Sequence, residues 1–277
     1  MAVVRTERIL ILCKTYPSPS EKYAETSCVA GMTQSGEFIR LFPVPFRLIR
    51  DSQQFQKWQW ISAHIRKAQK DHRPESHTVS VDTITLDGKP ISTKNDWAAR
   101  RNELSKLPLF ADFAALEAAR KTEGHTLALL RPARIDRLEI TKADSPNWTE
   151  EELKKLVKDQ IQGGLFDEQD EREVRLLRKL PHNFHYHYEC VVDGETRQYR
   201  HKIADWEAGA LYWHCVDKHG DGWEAPFRQK LETDLPAKDL HFLMGTIHRF
   251  PDQWLIISMI YPPKISTDRP VQSEMIF

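Results

Sequence analysis

The sequence predicts a mainly β protein with helical insertions (α+β), in which two small β-barrels are joined by a helical segment. Three observations carry that expectation. Two separate blocks of the chain consist of short apolar or alternating runs broken by Pro and Gly turns, the pattern of strands. The stretch between them changes to a helical composition with its own start and stop signals. The totals are those of a globular chain large enough for two ordinary domains: 277 residues, 40% hydrophobic and 29% charged.

The elements follow in order. "RILILC" and "TSCVAGM" are short apolar runs. "GEFIRLFPVPF" sets Glu37 and Arg40 outward among apolar neighbours before Pro43 and Pro45 stop it. "QWISAHIRKA" alternates, and "HTVSVDTITLDG" ends in an Asp-Gly turn signal. These strands make the first barrel. A helical insertion near 95–122 opens at an N-cap candidate, Asn95 or Asp96, is divided by Pro108 and closes at Gly124. "LALLRPARIDRLEI" returns to strand composition and completes an N-terminal domain of residues 1–145. "DSPNWTEEELKKLVKDQIQ", with the polar "GGLFDEQDERE", reads as a helical linker over 146–174. In the second barrel, 175–265, "FHYHYECVV", "DGET" and "RQYRHKI" form a hairpin. "DWEAGALYWHCV" is helical, and two strands flank the Phe-Pro-Asp turn of "DLHFLMGTIHRFPDQWLIISMIYPP". "WLIISMIYPP" echoes "GEFIRLFPVP", which suggests domains of similar construction. Residues 266–277 form a tail.

Charge and cysteine usage narrow the functional classes. Lys+Arg and Asp+Glu both number 40, so the chain lacks the basic excess of a non-specific nucleic-acid coat. Any nucleic-acid site rests on local patches. The four cysteines, 13, 28, 190 and 215, include no CxxC pair, the spacing of neither a disulfide framework nor a structural zinc site. The early apolar run "ILILC" is too short for a signal segment, and no stretch could span a bilayer. The expectation is a cytoplasmic protein with no membrane partner.

Candidate contacts come from cations interleaved with aromatics. "CKTYPSPSEKYAETSCVAGM" holds Lys14, Tyr16, Lys22 and Tyr23 in a loop that prolines would stiffen. "EFIRLFPVPFRLIR" adds Arg40 and Arg47, "QKWQWISAHIRK" adds Trp58, and the second barrel adds His185, His187 and Trp213. Aromatic faces with cations suit single-stranded nucleic acid, in which every base has a π-face and every nucleotide a charge. The plainer reading is that the aromatics fill cores while the cations snorkel. Other chemistry has weaker spacing. His185 and His187 share one strand face with Cys190 opposite, and nothing brings His214 and Cys215 to them, so no metal and no cofactor are expected. Glu189, Asp205 and Glu207 could hold Mg²⁺ with Lys202 toward a phosphate, although Asp205 also reads as a helix N-cap. "QGGLF" and the terminal "QSEMIF" resemble peptides that dock on sliding clamps, which makes Gln272, Met275 and Phe277 a candidate partner-binding tail.

"KTYPSPSEKYAETSCVAGM", "GEFIRLFPVPFR", "KWQWI", "KLPHNFHYHYEC", "DWEAGALYW", "KDLHFLMGT" and "WLIISMIYPPK" together resemble a bacterial dual OB-containing domain family, in order and over nearly the whole chain. The resemblance implies two OB-like barrels and brings no catalytic residues with it. OB barrels often bind nucleic acid through one sheet face and its loops. The expected function is therefore non-catalytic binding of single-stranded DNA or RNA in a bacterial genome-maintenance or defence pathway. The alternatives are a metal-dependent hydrolase of nucleic acid or nucleotide, and an adaptor docking on a protein partner through its tail.

Overall fold

The apolar run near the N-terminus has hydrophobic residues on both faces, and the structure shows what covers each. The computed structural model describes residues 3–17, 26–154 and 177–265. In strand β1 (Arg5–Lys14), Ile9 and Ile11 point into the first barrel, while Leu10 and Leu12 point out of it; all four are fully buried. A strand buried on both faces reads as a continuous apolar run instead of an alternation.

The first barrel is built from β1, β2 (Ser27–Thr33), β3 (Phe38–Val44), β4 (Trp60–Lys67) and β5 (Ser76–Val79). The strands follow the order β1-β2-β3-β5-β4 and close because β1 also pairs with β4. Leu10 lies opposite both Met32 of β2 and Trp60 of β4. β3 and β5 run parallel, and the other barrel pairings are antiparallel. A short strand, β6 (Thr85–Asp87), borders β4.

Helix α1 (Lys94–Leu104) and strand β7 (Leu109–Phe110) lead to α2 (Phe113–Glu123). The start of α1 differs from the capping expectation. Asn95, Asp96 and Trp97 all have positive φ, of 52°, 52° and 66°, so the regular turn begins after them. Helix α2 is conventional: the Asp112 carboxylate accepts from the Ala114 and Ala115 amides, and Gly124 ends it at φ 78°.

The second sheet takes β8 (Leu127–Leu130), β9 (Arg134–Lys142), β10 (His182–Val192), β11 (Glu195–Ile203), β12 (His241–Thr246) and β13 (Trp254–Ile260). With β7 its order is β7-β8-β12-β13-β11-β10-β9, and β11 and β13 are parallel. The expected hairpin is β10–β11, turned by Asp193 and Gly194 at φ 53° and 81°. Helices α3 (Trp206–His219) and α4 (Glu224–Arg228) lie between β11 and β12.

Two assignments made from sequence are corrected. "LALLRPARIDRLEI" does not complete the first domain: it forms β8 and β9, which pair with β12 and β10. Alternation shows that these residues are strand but not which sheet needs them, and here Ala128 and Leu130 fill the second core beside Tyr186 and Phe242. The N-terminal unit of residues 1–145 therefore gives way to a change of sheet between β6 and β7. The echo between "GEFIRLFPVP" and "WLIISMIYPP" also joins unlike positions, because β3 pairs with β2 and β5 whereas β13 pairs with β11 and β12. Of the expected linker, only 146–154 lies within the described residues, and 150–154 are helical. No helix among the described residues is long and apolar enough to cross a membrane.

A third core joins the two sheets. Leu10, Leu12, Ala30 and Met32 from the outside of the first barrel meet Leu127, Leu129, Leu243 and Ile257 from the second sheet. Fully burying each leucine contributes about 1.5–3 kcal/mol relative to exposure. Leu129→Ala is expected to cost about 2–5 kcal/mol. Because both sheets share this core, urea unfolding followed by tryptophan fluorescence and by far-UV circular dichroism is expected to show one coincident transition in the wild type.

Candidate functional site

Where the two sheets diverge beyond their shared core, a cleft of about 760 Å³ opens between them. That volume is in the range of small-ligand sites. Its walls come largely from turns. Tyr16 and Pro17 follow β1, and Lys70, Asp71 and Arg73 lie between β4 and β5. From the second sheet come Trp148 and Lys179 between β9 and β10, and Ile247 and His248 between β12 and β13. Arg40 of β3 and Lys202 of β11 complete the charged lining, Phe42 adds aromatic surface, and Phe184 lies buried behind the wall. Phe42 is 41% exposed, unusual for a large aromatic on a strand.

The cations outnumber the carboxylates in this lining, and both carboxylates are already engaged. Asp71 accepts a fork from Arg73, with Nε to Oδ1 at 2.9 Å and Nη2 to Oδ2 at 2.6 Å. Burial pushes the Asp71 carboxyl up, but this fork outweighs it and holds the group well below the usual carboxylate range. Asp205 caps α3 by accepting from the Glu207 amide at 2.8 Å, and its other oxygen accepts from the Met259 amide at 2.9 Å. Burial pushes the Asp205 carboxyl up to about 6. Lys179 pairs with Glu152 at 3.2 Å. Arg40, Lys70 and Lys202 have no ion pair within the described residues. Burial lowers the pKa of both Arg40 and Lys202.

Polar ties hold the two walls of the cleft together. The Tyr16 amide donates to Ala204 O at 3.0 Å, and Thr15 forms an isolated bridge with Asp205. The Tyr16 hydroxyl donates to Arg178 O at 2.6 Å and accepts from Trp213 Nε1 at 3.1 Å. The Tyr16 ring lies over Gly209, where an added Cβ would come within 2.3 Å of it. Opposite this knot, Arg73 donates to Thr246 O and Arg40 Nη2 donates to Thr126 O at 3.0 Å.

Of the residues singled out by sequence, Tyr16 and Arg40 line the cleft, whereas Lys14 and Trp213 stand behind it. Lys14 is not free to meet a ligand. Its ammonium lies 3.6 Å from the Phe46 ring centroid and 5.3 Å from that of Trp206, and donates to Phe55 O at 3.3 Å. Burial lowers its pKa to about 8. Trp213 is stacked under Arg178 at 3.6 Å. Trp58 is corrected outright: it sits at φ 69° before β4, 3% exposed, in the core between the sheets. Arg47 lies in the turn after β3 and does not line the cleft. His185 and His187 share one face of β10; His187 Nε2 lies 2.5 Å from Glu139 with Arg200 gripping the same carboxylate, while His185 Nδ1 is buried with no hydrogen-bond partner among the described residues. Lys22, Tyr23, Gln272, Met275 and Phe277 lie outside the described residues.

The carboxylates of the hydrolase alternative do not converge. Glu189 is held on the outer face by Arg134 at 2.8 Å, Asp205 is the buried cap, and Glu207 pairs with Lys57 at 2.9 Å. Among the described residues no group of three or more His, Cys, Asp or Glu side chains forms a metal-binding cluster. Sequence reading passed over Lys70 and Arg73, although "KAQKDHRPES" is a basic turn between two strands and was the available signal. Lys202 was considered only beside the carboxylates, Trp148 fell where a linker was expected, and Lys179 fell at the start of the expected second barrel.

Comparison with known proteins gives two adjacent matches. A family model described as Domain of unknown function (DUF8758) matches residues 5–106, and one described as Domain of unknown function (DUF8757) matches residues 110–276. The first span holds the closed barrel and α1, and the second holds the second sheet. No curated protein matches the chain.

Two histidines give a pH signature. Burial, with Arg200 nearby, lowers His185 to about 4, and burial lowers His201, which lies against Tyr188 and Phe113, to about 4. Lys202, Glu139 and His187 also face His185, and Glu139 opposes the lowering. Both folded values lie below the ordinary 6.5, so the unfolded chain takes up protons first. Their contribution to stability is complete above about pH 6.5 and is lost as pH falls toward 4. The urea midpoint is expected to fall across that window, and to fall less steeply in the His185→Gln/His201→Gln double variant.

Proposed function

Because the chain belongs to the family described as Domain of unknown function (DUF8757), whose description leaves activity open, we propose from the cleft itself that the protein binds single-stranded nucleic acid non-catalytically between its two sheets. One observation carries this reading: cations without an ion pair among the described residues, and the exposed aromatic surface of Phe42, dispersed in the sequence, gather in one cleft between the sheets. Single strands need both, because bases stack on aromatic faces while the backbone seeks positive charge.

The connectivity supports the same reading. A closed order β1-β2-β3-β5-β4 with parallel β3 and β5 is compatible with the five-stranded OB barrel. The second sheet repeats the pattern if β8 and β9 are taken as one bent first strand. Only Arg131–Ala133 separate them, and they border β12 and β10 respectively. On that alignment β10, β11, β12 and β13 are the second to fifth strands, with the parallel pair again third and fifth. OB barrels bind oligonucleotides through the connections between strands 1 and 2 and strands 4 and 5. Here those connections supply Tyr16, Lys70 and Arg73 from the first barrel, and Trp148, Lys179 and His248 from the second. The resemblance to the bacterial dual OB-containing family points the same way. The neutral overall charge suits a confined groove better than an extended phosphate track.

Fluorescence anisotropy with short oligothymidylates tests the proposal. Affinity is expected to fall with salt, and Lys70→Gln/Lys202→Gln is expected to flatten the log K against log [salt] slope by roughly 0.7 per lost phosphate contact. Phe42→Ala is expected to cost about 1–3 kcal/mol of binding and leave that slope unchanged. Absence of binding at low salt with micromolar protein contradicts the proposal.

A further inference from the structure

Arg40 is the most deeply placed cation of the cleft and has an unmet need. It is 1% exposed, its amide donates to Glu75 O at 2.9 Å, and its Nη2 donates to Thr126 O at 3.0 Å. Nη1 is buried with no hydrogen-bond partner among the described residues. A buried unsatisfied donor costs about 1–3 kcal/mol, and more on a charged group. Arg40 also has no ion pair among the described residues. The neighbouring carboxylates are committed elsewhere. Glu75 accepts from the Thr126 and Leu127 amides at 3.0 Å and from the Thr126 hydroxyl, and Asp71 is held by Arg73. Among the described residues no carboxylate completes this guanidinium, although it lines a cleft large enough for a ligand.

The second sheet is shaped to admit it. At Gly245 an added Cβ would stand 3.0 Å from Ile257 Cδ1 and 3.3 Å from Leu127 Cδ2 and would touch Arg40 Nη2 at 3.4 Å, so the bare backbone leaves the guanidinium its place in the packed seam. The missing partner is thus an anion that enters from the cleft and fits a narrow space. An internal phosphodiester carries a sugar on each side and offers only two free oxygens. A terminal phosphate monoester projects from the chain with three free oxygens and a charge near −2 at neutral pH. Only the projecting group can reach a guanidinium so little exposed while the adjoining base remains against the aromatic surface.

We propose that Arg40 forms the floor of a subsite for a terminal phosphate monoester, so that the cleft recognises a phosphorylated strand end. The subsite rests on the single-strand reading of the cleft and specifies which part of the strand goes deepest. Lys70 and Lys202, the other lining cations without an ion pair among the described residues, add positive charge to the same cleft. Phosphate at Arg40 satisfies Nη1 and replaces an unpaired buried charge with a charge-assisted pair.

The test compares short oligothymidylates that carry a 5′-phosphate, a 3′-phosphate or hydroxyls at both ends. One phosphorylated end is expected to bind the wild type about tenfold tighter or more than the hydroxyl-ended strand, equivalent to one charge-assisted hydrogen bond. Arg40→Gln is expected to abolish that preference, read as the ratio of phosphorylated to hydroxyl-ended binding within the variant itself, and Arg40→Lys to retain part of it. Thermal melts verify that the variants fold, and the wild-type comparison decides the matter if Arg40→Gln does not. Equal binding of all three strands by the wild type overturns the subsite and leaves the single-strand reading standing, as does a preference that survives in folded Arg40→Gln. Binding of none of the strands overturns the single-strand reading and the strand-end assignment together.

Discussion

The structure depends on one packing constraint: β1 of the first sheet and β8 of the second are each apolar on both faces. β1 sends Ile9 and Ile11 into its own barrel and Leu10 and Leu12 out, while β8 sends Ala128 and Leu130 in and Leu127 and Leu129 out. The outward residues have nowhere to go but against each other. Exposing them would leave a continuous apolar surface of the kind that drives association. Buried together, they fix the two sheets back to back, and the cleft and its ties follow from that placement.

Polar groups at the edges of this apolar seam set its register. Asp205 is at once the cap of α3, the acceptor for β13 at Met259 and the bridge partner of Thr15. Lys57 lies buried beside it and donates to Met259 O and Glu207 at 2.9 Å. Burial works against the charge on Lys57, but Asp205 and Glu207 more than restore it. Across the cleft, Glu75 gathers the backbone amides that open β8. Such a buried polar network adds geometric specificity beyond the apolar seam, since each member loses its partners if the sheets shift. The cleft is rigid at its base for this reason, while its upper walls are turns.

Much of the local structure was legible in the sequence and the tertiary partnering was not. The Asp193-Gly194 hairpin, the Asp205 cap, the Pro108 break and the Gly124 stop each rest on local chemistry, and each is present. Arg40 shows the limit. Alternation correctly placed it on the outer face of β3, but that face is the wall against the second sheet, so outward did not mean exposed. Trp58 sits at positive φ before its strand begins, where no alternation applies. β8 and β9 were assigned to the nearer barrel because sequence proximity is the default when pairing cannot be seen. The candidate site was legible only in Tyr16 and Arg40. Lys70 with Arg73, Lys179 and Lys202 come from three different stretches, and only the seam between the sheets brings them together.

The central claim is that this cleft, and not the outer sheet face, holds the strand. Amide hydrogen exchange of the full chain with and without a short oligothymidylate tests it most directly. The account predicts slowed exchange at the turns 68–75, 143–148 and 247–253, with the outer ladder of His187, Glu139 and Arg200 unchanged. Protection confined to that ladder, or no protection at saturating oligonucleotide, would contradict it.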